Sequence, residues 1–225
     1  MSRVYLAPSN QVANVYTAQL GNECNHMYEI AQKVQTLLGN LGHNILLAEK
    51  NSILEVRVAY ANEKACDIYV SIHSNAGGGK GCEIWCYPNS VKGMELANKI
   101  YPMLSRITVT GDRGVKQSDT YYELKATNMP AIIVEVEFHD NEDGARWIVR
   151  NKHVIAAVIA SGIHQYLGGA ARDIDIPVVV TEPDDDVIPP VEPPSGDEEI
   201  HGVLARIAKL VDSIREEIDR FTKGD

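Results

Sequence analysis

The chain has 225 residues, 31 Asp and Glu against 21 Lys and Arg, a formal net charge of −10 at pH 7, and 44% hydrophobic and 23% charged side chains. This composition excludes wholesale disorder, a collagen-like fibre and a multi-span membrane protein. The acidic balance argues against binding nucleic acid or an anionic membrane, since either partner needs a basic face.

Val4–Leu6 is an apolar run before Pro8 and predicts a short strand. From Asn22 to Leu38 the apolar residues Met27, Ile30, Ala31, Val34, Leu37 and Leu38 recur at helical spacing, and Gly39 and Gly42 mark the end. Asn44–Leu47 reads as a second strand and Ile53–Ala65 as a helix. Asp67–His73 is a strongly β run, broken after it by Gly77–Gly79. Cys82–Tyr87 alternates as a strand, Val91–Ser105 is helical, and Ala131–Phe138 is a buried-strand pattern interrupted by two carboxylates. Helices over Glu142–Asn151 and Lys152–Leu167 follow. Strands alternating with helices predict an α/β domain over residues 1–172, a mostly parallel twisted sheet flanked by helices. Ligand sites of such sheets collect at the carboxyl ends of the strands.

Residues 1–172 hold 16 acidic and 16 basic side chains, a net charge of zero. Residues 173–199 hold ten acids, no Lys or Arg, and six of the ten prolines. They read as an acidic, extended linker. In 200–225, Ile200, Leu204, Ile207, Val211, Ile214, Ile218 and Phe221 are spaced 4-3-4-3-4-3, a heptad seam. β-branched residues at its d positions favour a trimer or tetramer, so a coiled-coil helix over 200–221 is expected to make the chain a homo-oligomer.

The four cysteines are too few for a disulfide framework, and Cys82 and Cys86 would stand about 13 Å apart on one strand. They are expected to be small buried hydrophobes. No apolar run is long enough to span a bilayer, and no signal peptide or membrane anchor is recognisable.

Three features carry chemistry. His73 ends the best strand within Ser71–Ala76, where a ligand is expected. Glu23 sits in the first turn of the first long helix. Glu135 and Glu137 share a face of the last strand by period two, and a carboxylate there is costly unless it pairs, binds metal or moves protons. A strand-end histidine, a helix glutamate and one more nitrogen would make a zinc site with an open position, and a free carboxylate could serve as general base. From spacing alone a packed core histidine is the equal alternative for His73.

Residues 1 to about 168 resemble the N-acetylmuramoyl-L-alanine amidases of family 3, zinc amidases of bacterial cell-wall hydrolases and phage endolysins. The resemblance rests on Glu23, on Arg57 with Ala61-Asn62 and Asp67, and on the SIHSNA run Ser71–Ala76. It continues through Arg113-Gly114-Val115-Lys116, Pro130–Glu135 and Asn141, all in consistent order. It implies that Glu23 and His73 are ligands of Zn2+ and that Glu135 is the catalytic base. The implied reaction cleaves the amide between N-acetylmuramic acid and L-alanine of peptidoglycan. Arg113, Lys116 and Asn75 become candidate substrate-binding residues.

The chain departs from the family where a Gly-His-Gly turn usually supplies a zinc ligand. It reads Ala7-Pro8-Ser9-Asn10-Gln11, with Asn10 at the histidine's place. His139, on the loop leaving the Glu135 strand, is the favoured replacement, and His26, three residues after Glu23, is the second choice. The expected setting is a phage or prophage endolysin, cytoplasmic until released to the wall. The competing expectation is an inactive peptidoglycan-binding or scaffolding relative that lost zinc with Asn10.

Overall fold

Five of the sheet's six strands lie where sequence patterning puts them. The computed structural model describes residues 2–108 and 110–180. The strands are β1 (Arg3–Pro8), β2 (Asn44–Leu47), β3 (Ile68–Asn75), β4 (Cys82–Cys86), β5 (Asp112–Gln117) and β6 (Ala131–Phe138). The helices are α1 (Glu23–Asn40), α2 (Leu54–Glu63), α3 (Val91–Ile107), α4 (Tyr122–Ala126), α5 (Glu142–Arg150) and α6 (Lys152–Tyr166). β5 and α4 have no counterpart in the sequence prediction. β5 is half-exposed at the sheet edge, so it carries no apolar alternation, and α4 is only five residues long.

Strand order is β2-β1-β3-β6-β4-β5, with every neighbouring pair parallel except β4 and β6. The reversal has a local cause. Parallel strands need a crossover of a dozen or more residues, and the turn between β3 and β4 is far shorter. The chain therefore doubles back. The carboxyl ends of β1, β3 and β6 and the start of β4 meet at one edge of the sheet.

One sheet face is covered by α2 and α4, over an apolar cluster that includes Tyr5, Tyr69, Leu124, Ala131 and Ile133. The other is buried under α1, α3 and α6. α6 is buried along almost its whole length, from Val154 to His164, which fits an apolar helix in the centre of a layer. Gly162 makes that packing possible: a Cβ there would lie 2.4 Å from Ile100 Cγ1 on α3.

Several residues of the family resemblance are scaffold. Arg57 donates to the Pro8 carbonyl at the end of β1 (2.5 Å) and to Ser52 Oγ. Asn62 bonds the Ala126 carbonyl and the Asn128 N–H, tying α2 to the end of α4. Asn141 caps α5 by accepting from Gly144 N–H, a role worth about 1 kcal/mol. All four cysteines are free and buried.

The segment read as the start of the linker stays on the domain as far as the description reaches. Ile174 is buried, and the Asn151 side chain pairs with both the N–H and the carbonyl of Val180. The rest of the linker and the heptad segment 200–221 lie outside the described residues. Among the described residues no helix is long and apolar enough to cross a membrane.

Candidate active site

β3 and β6 run side by side with His73 opposite Glu135, and a register shift follows between His73 and Asn75. Glu23 opens α1, whose N-cap Asn22 accepts from Asn25 N–H. Its carboxylate is buried and faces the strand edge. Glu23 Oε1 lies 3.0 Å from His73 Nδ1 and accepts from Ser74 N–H at 3.2 Å, and Oε2 accepts from Asn14 Nδ2 at 2.6 Å. Burial alone would raise the Glu23 pKa, but bonds from His73, Asn14 and Ser9 outweigh it and hold it low.

Glu135 has the opposite balance. Its Oε2 is sealed from solvent with no hydrogen-bond partner among the described residues. Burial pushes its pKa up to about 7; His73 opposes the rise, and the charges of Glu23, Glu83 and Glu123 add to it. His73 itself is raised to about 9: burial works against the charged form, and Glu23, Glu135 and Glu123 overcome it. Three carboxylates thus surround one imidazole.

That surplus of negative charge, together with the orphaned Glu135 oxygen, suits a divalent cation. Glu23 and His73 offer an oxygen and a nitrogen, donor types that zinc among other divalent metals accepts. Among the described residues no three His, Cys, Asp or Glu side chains converge at metal-ligand spacing. The two histidines considered as a third ligand are placed differently. His139 Nδ1 lies 3.0 Å from Ser74 Oγ and 3.1 Å from the Ser74 carbonyl, one residue from His73. With Nδ1–H donating to that carbonyl, Nε2 keeps its lone pair. His26 Nε2 lies 2.5 Å from the Leu20 carbonyl. Burial and then Lys152 depress its pKa, and Glu29 is the carboxylate near it, so it stands outside the acidic cluster. Asn10 turns aside, its Nδ2 donating to the Ser52 carbonyl, while its neighbour Gln11 comes within 3.5 Å of His73 Nδ1.

Arg113, Lys116 and Asn75 come together, but on a residue the sequence reasoning missed. Glu83 opposes Glu135 across β4 and β6. Its Oε2 accepts from Arg113 Nε (2.6 Å) and Lys116 Nζ (2.5 Å), and its Oε1 from Asn75 Nδ2 (2.9 Å) and Trp85 Nε1 (3.0 Å). Arg113 lies over the Phe138 ring and Lys116 over Trp85. Both cations stay about one-third exposed, so the cluster presents one net positive charge beside the site.

Glu137, expected beside Glu135, serves the scaffold: it accepts from Gly81 N–H and from the Thr110 hydroxyl. Three further residues had no reading in the sequence. Glu123 on α4 is buried and bonds Tyr69 and Ser71. Tyr16 donates to Ser74 Oγ at 2.8 Å and stacks on His139 with centroids 5.0 Å apart. Asn14 holds Glu23. A lone Glu within the apolar strand Cys82–Cys86 was the available signal for Glu83. No local signal marks the other three.

Residues 13–165 match the sequence profile of the N-acetylmuramoyl-L-alanine amidase family. The amidase CwlM of Bacillus licheniformis is 28% identical over 170 residues, which cover 69% of this chain and 64% of CwlM. An endolysin of Bacillus phage SPP1 is 34% identical over 121 residues, covering 49% of this chain and 44% of the endolysin. The chain spans less than two thirds of the length of either relative. The catalytic domain of CwlV, an N-acetylmuramoyl-L-alanine amidase of Paenibacillus polymyxa, superposes with a TM-score of 0.69 at 22% identity, covering 76% of this chain and all of that domain. That likeness establishes the fold.

Proposed function

The chain belongs to the N-acetylmuramoyl-L-alanine amidase family, and on that premise we propose that it hydrolyses the amide joining N-acetylmuramic acid to L-alanine in peptidoglycan. The observation that carries the proposal is the Glu23–His73 pair set beside Glu135, whose Oε2 is buried and has no partner among the described residues.

In this reading Glu23 and His73 hold a zinc ion. His139 is the third ligand in preference to His26, because it is bound through Nδ1 to Ser74, the residue after His73, whereas His26 Nε2 is taken by the Leu20 carbonyl. The metal, when bound, supplies Lewis acidity that polarises the amide carbonyl and acidifies water at the site. Glu135 takes the proton from the attacking water on its free oxygen and passes it to the leaving amine of L-alanine. Arg113 keeps guanidinium N–H groups beyond the one it gives to Glu83, so the Arg113–Lys116 pair can receive a stem-peptide carboxylate.

The phage endolysin relative supports action on the wall from inside the cell once the membrane has been breached. The heptad spacing at 200–221 supports self-association as a trimer or tetramer, which a mass measurement in solution checks. The test of the activity is metal content together with release of soluble peptide from purified walls. Zinc near one per chain, with release abolished in Glu135→Ala, is expected. A zinc-free chain that binds walls and releases nothing would instead mark a binding module.

A further inference from the structure

We propose that Glu123 is a positioning residue for His73, turning the imidazole so that Nδ1 faces Glu23 and the metal. This rests on the zinc reading above. Tyr69, Ser71 and His73 alternate along β3 and so share a face of the sheet. Glu123 lies along that file. Its Oε1 accepts from Tyr69 OH at 2.6 Å and from Ser71 Oγ at 3.0 Å. Its Oε2 also meets Ser71 Oγ (3.1 Å) and stands 3.9 Å from His73 Nε2. The two hydroxyls fix the plane of the carboxylate and aim its charge at Nε2.

His73 therefore lies between two carboxylates, with Nε2 towards Glu123 and Nδ1 towards Glu23. A negative charge beside Nε2 keeps the N–H on that nitrogen and leaves the Nδ1 lone pair for the metal. Metal-ligating histidines are oriented in this way by a second carboxylate. Anchoring α4 does not call for a charge, because Leu124 already joins the apolar cluster below the sheet. A carboxylate buried there is costly unless its charge is used.

The test is zinc affinity of the full-length chain, stripped of metal and titrated in competition with a fluorescent chelator. Glu123→Gln keeps the size and a carbonyl acceptor but removes the charge. Its apparent Kd for zinc is expected to rise roughly 10–100-fold, the range for loss of such an outer partner, while thermal unfolding shows a folded domain. Tyr69→Phe leaves the charge and frees Oε1; it should weaken zinc in the same direction by a smaller factor, and it decides the matter if Glu123→Gln does not fold. A folded Glu123→Gln chain that binds zinc within about twofold of wild type overturns the inference. So does an unchanged Kd in Tyr69→Phe where Glu123→Gln fails to fold. A wild-type chain that takes up no zinc overturns the function reading, and this inference with it.

Discussion

Glu83 and Glu135 face each other on neighbouring strands, and nearly everything about them differs except the side chain. Glu83 is saturated: four donors reach its two oxygens, and although burial would raise its pKa, the bonds from Lys116, Arg113 and Trp85 hold it low. Glu135 has an oxygen with no partner among the described residues and a pKa pushed up to about 7. The first is a permanent anion organising two cations. The second can take a proton and give it back. In this sheet the partners of a carboxylate, supplied to Glu83 by β3, β4 and β5 and withheld from one oxygen of Glu135, decide whether it is framework or chemistry.

Substitution has its largest expected effect at Glu135. Glu135→Gln should lower the rate of peptide release by about 10²–10⁴, the span for loss of a general base, and leave zinc content unchanged. A loss below tenfold would place the base elsewhere. Glu83→Ala tests the framework side. It leaves Arg113 and Lys116 without their shared anion, and thermal unfolding should show a loss of about 1–2 kcal/mol, less than for a fully buried pair because both cations are part-exposed. Unchanged stability would mean the cluster is decoration.

Removing the metal sharpens the contrast through pH. A carboxyl whose folded pKa lies above its unfolded value binds more protons in the native state, so it costs stability as pH rises from about 4.5 towards 7. In the zinc-stripped chain Glu135→Gln should therefore be more stable than wild type at pH 8, by up to about 3 kcal/mol, with the difference vanishing near pH 4. Chemical denaturation at the two pH values checks this; a variant less stable at pH 8 would contradict the orphaned state. The smallest effect is expected for Lys116→Met, which removes one of four donors to Glu83. It should cost at most about 1 kcal/mol. A KM rise far beyond that loss is what the substrate role proposed for Lys116 predicts, and an unchanged KM would confine it to holding Glu83.

Much of this was legible beforehand, for identifiable reasons. β3 and β6 are buried on both faces and so announce themselves as apolar runs, and His73 and Glu135 interrupt those runs at their ends. Glu23 follows a cap signal at Asn22. The partners were not legible. Glu83 acts through Arg113 and Lys116, which are 30 and 33 residues away, and Glu123 through a strand some 50 residues earlier. These contacts exist only because β4 doubles back beside β6 and α4 packs under the sheet. Period two also failed at Glu137, where the register between β3 and β6 shifts just beyond His73 and Glu135. Arg113 and Lys116, read as candidate substrate-binding residues, also share an anion, Glu83, that only the fold could bring to them.

The bond cleaved can be read directly from the products. Purified peptidoglycan digested with the full-length chain and resolved by mass spectrometry should yield free stem peptides beginning at L-alanine, together with glycan strands bearing unsubstituted lactyl groups. Glu135→Gln should yield neither. Peptides still joined to N-acetylmuramic acid, with new sugar reducing ends or shortened stems in their place, would contradict the account.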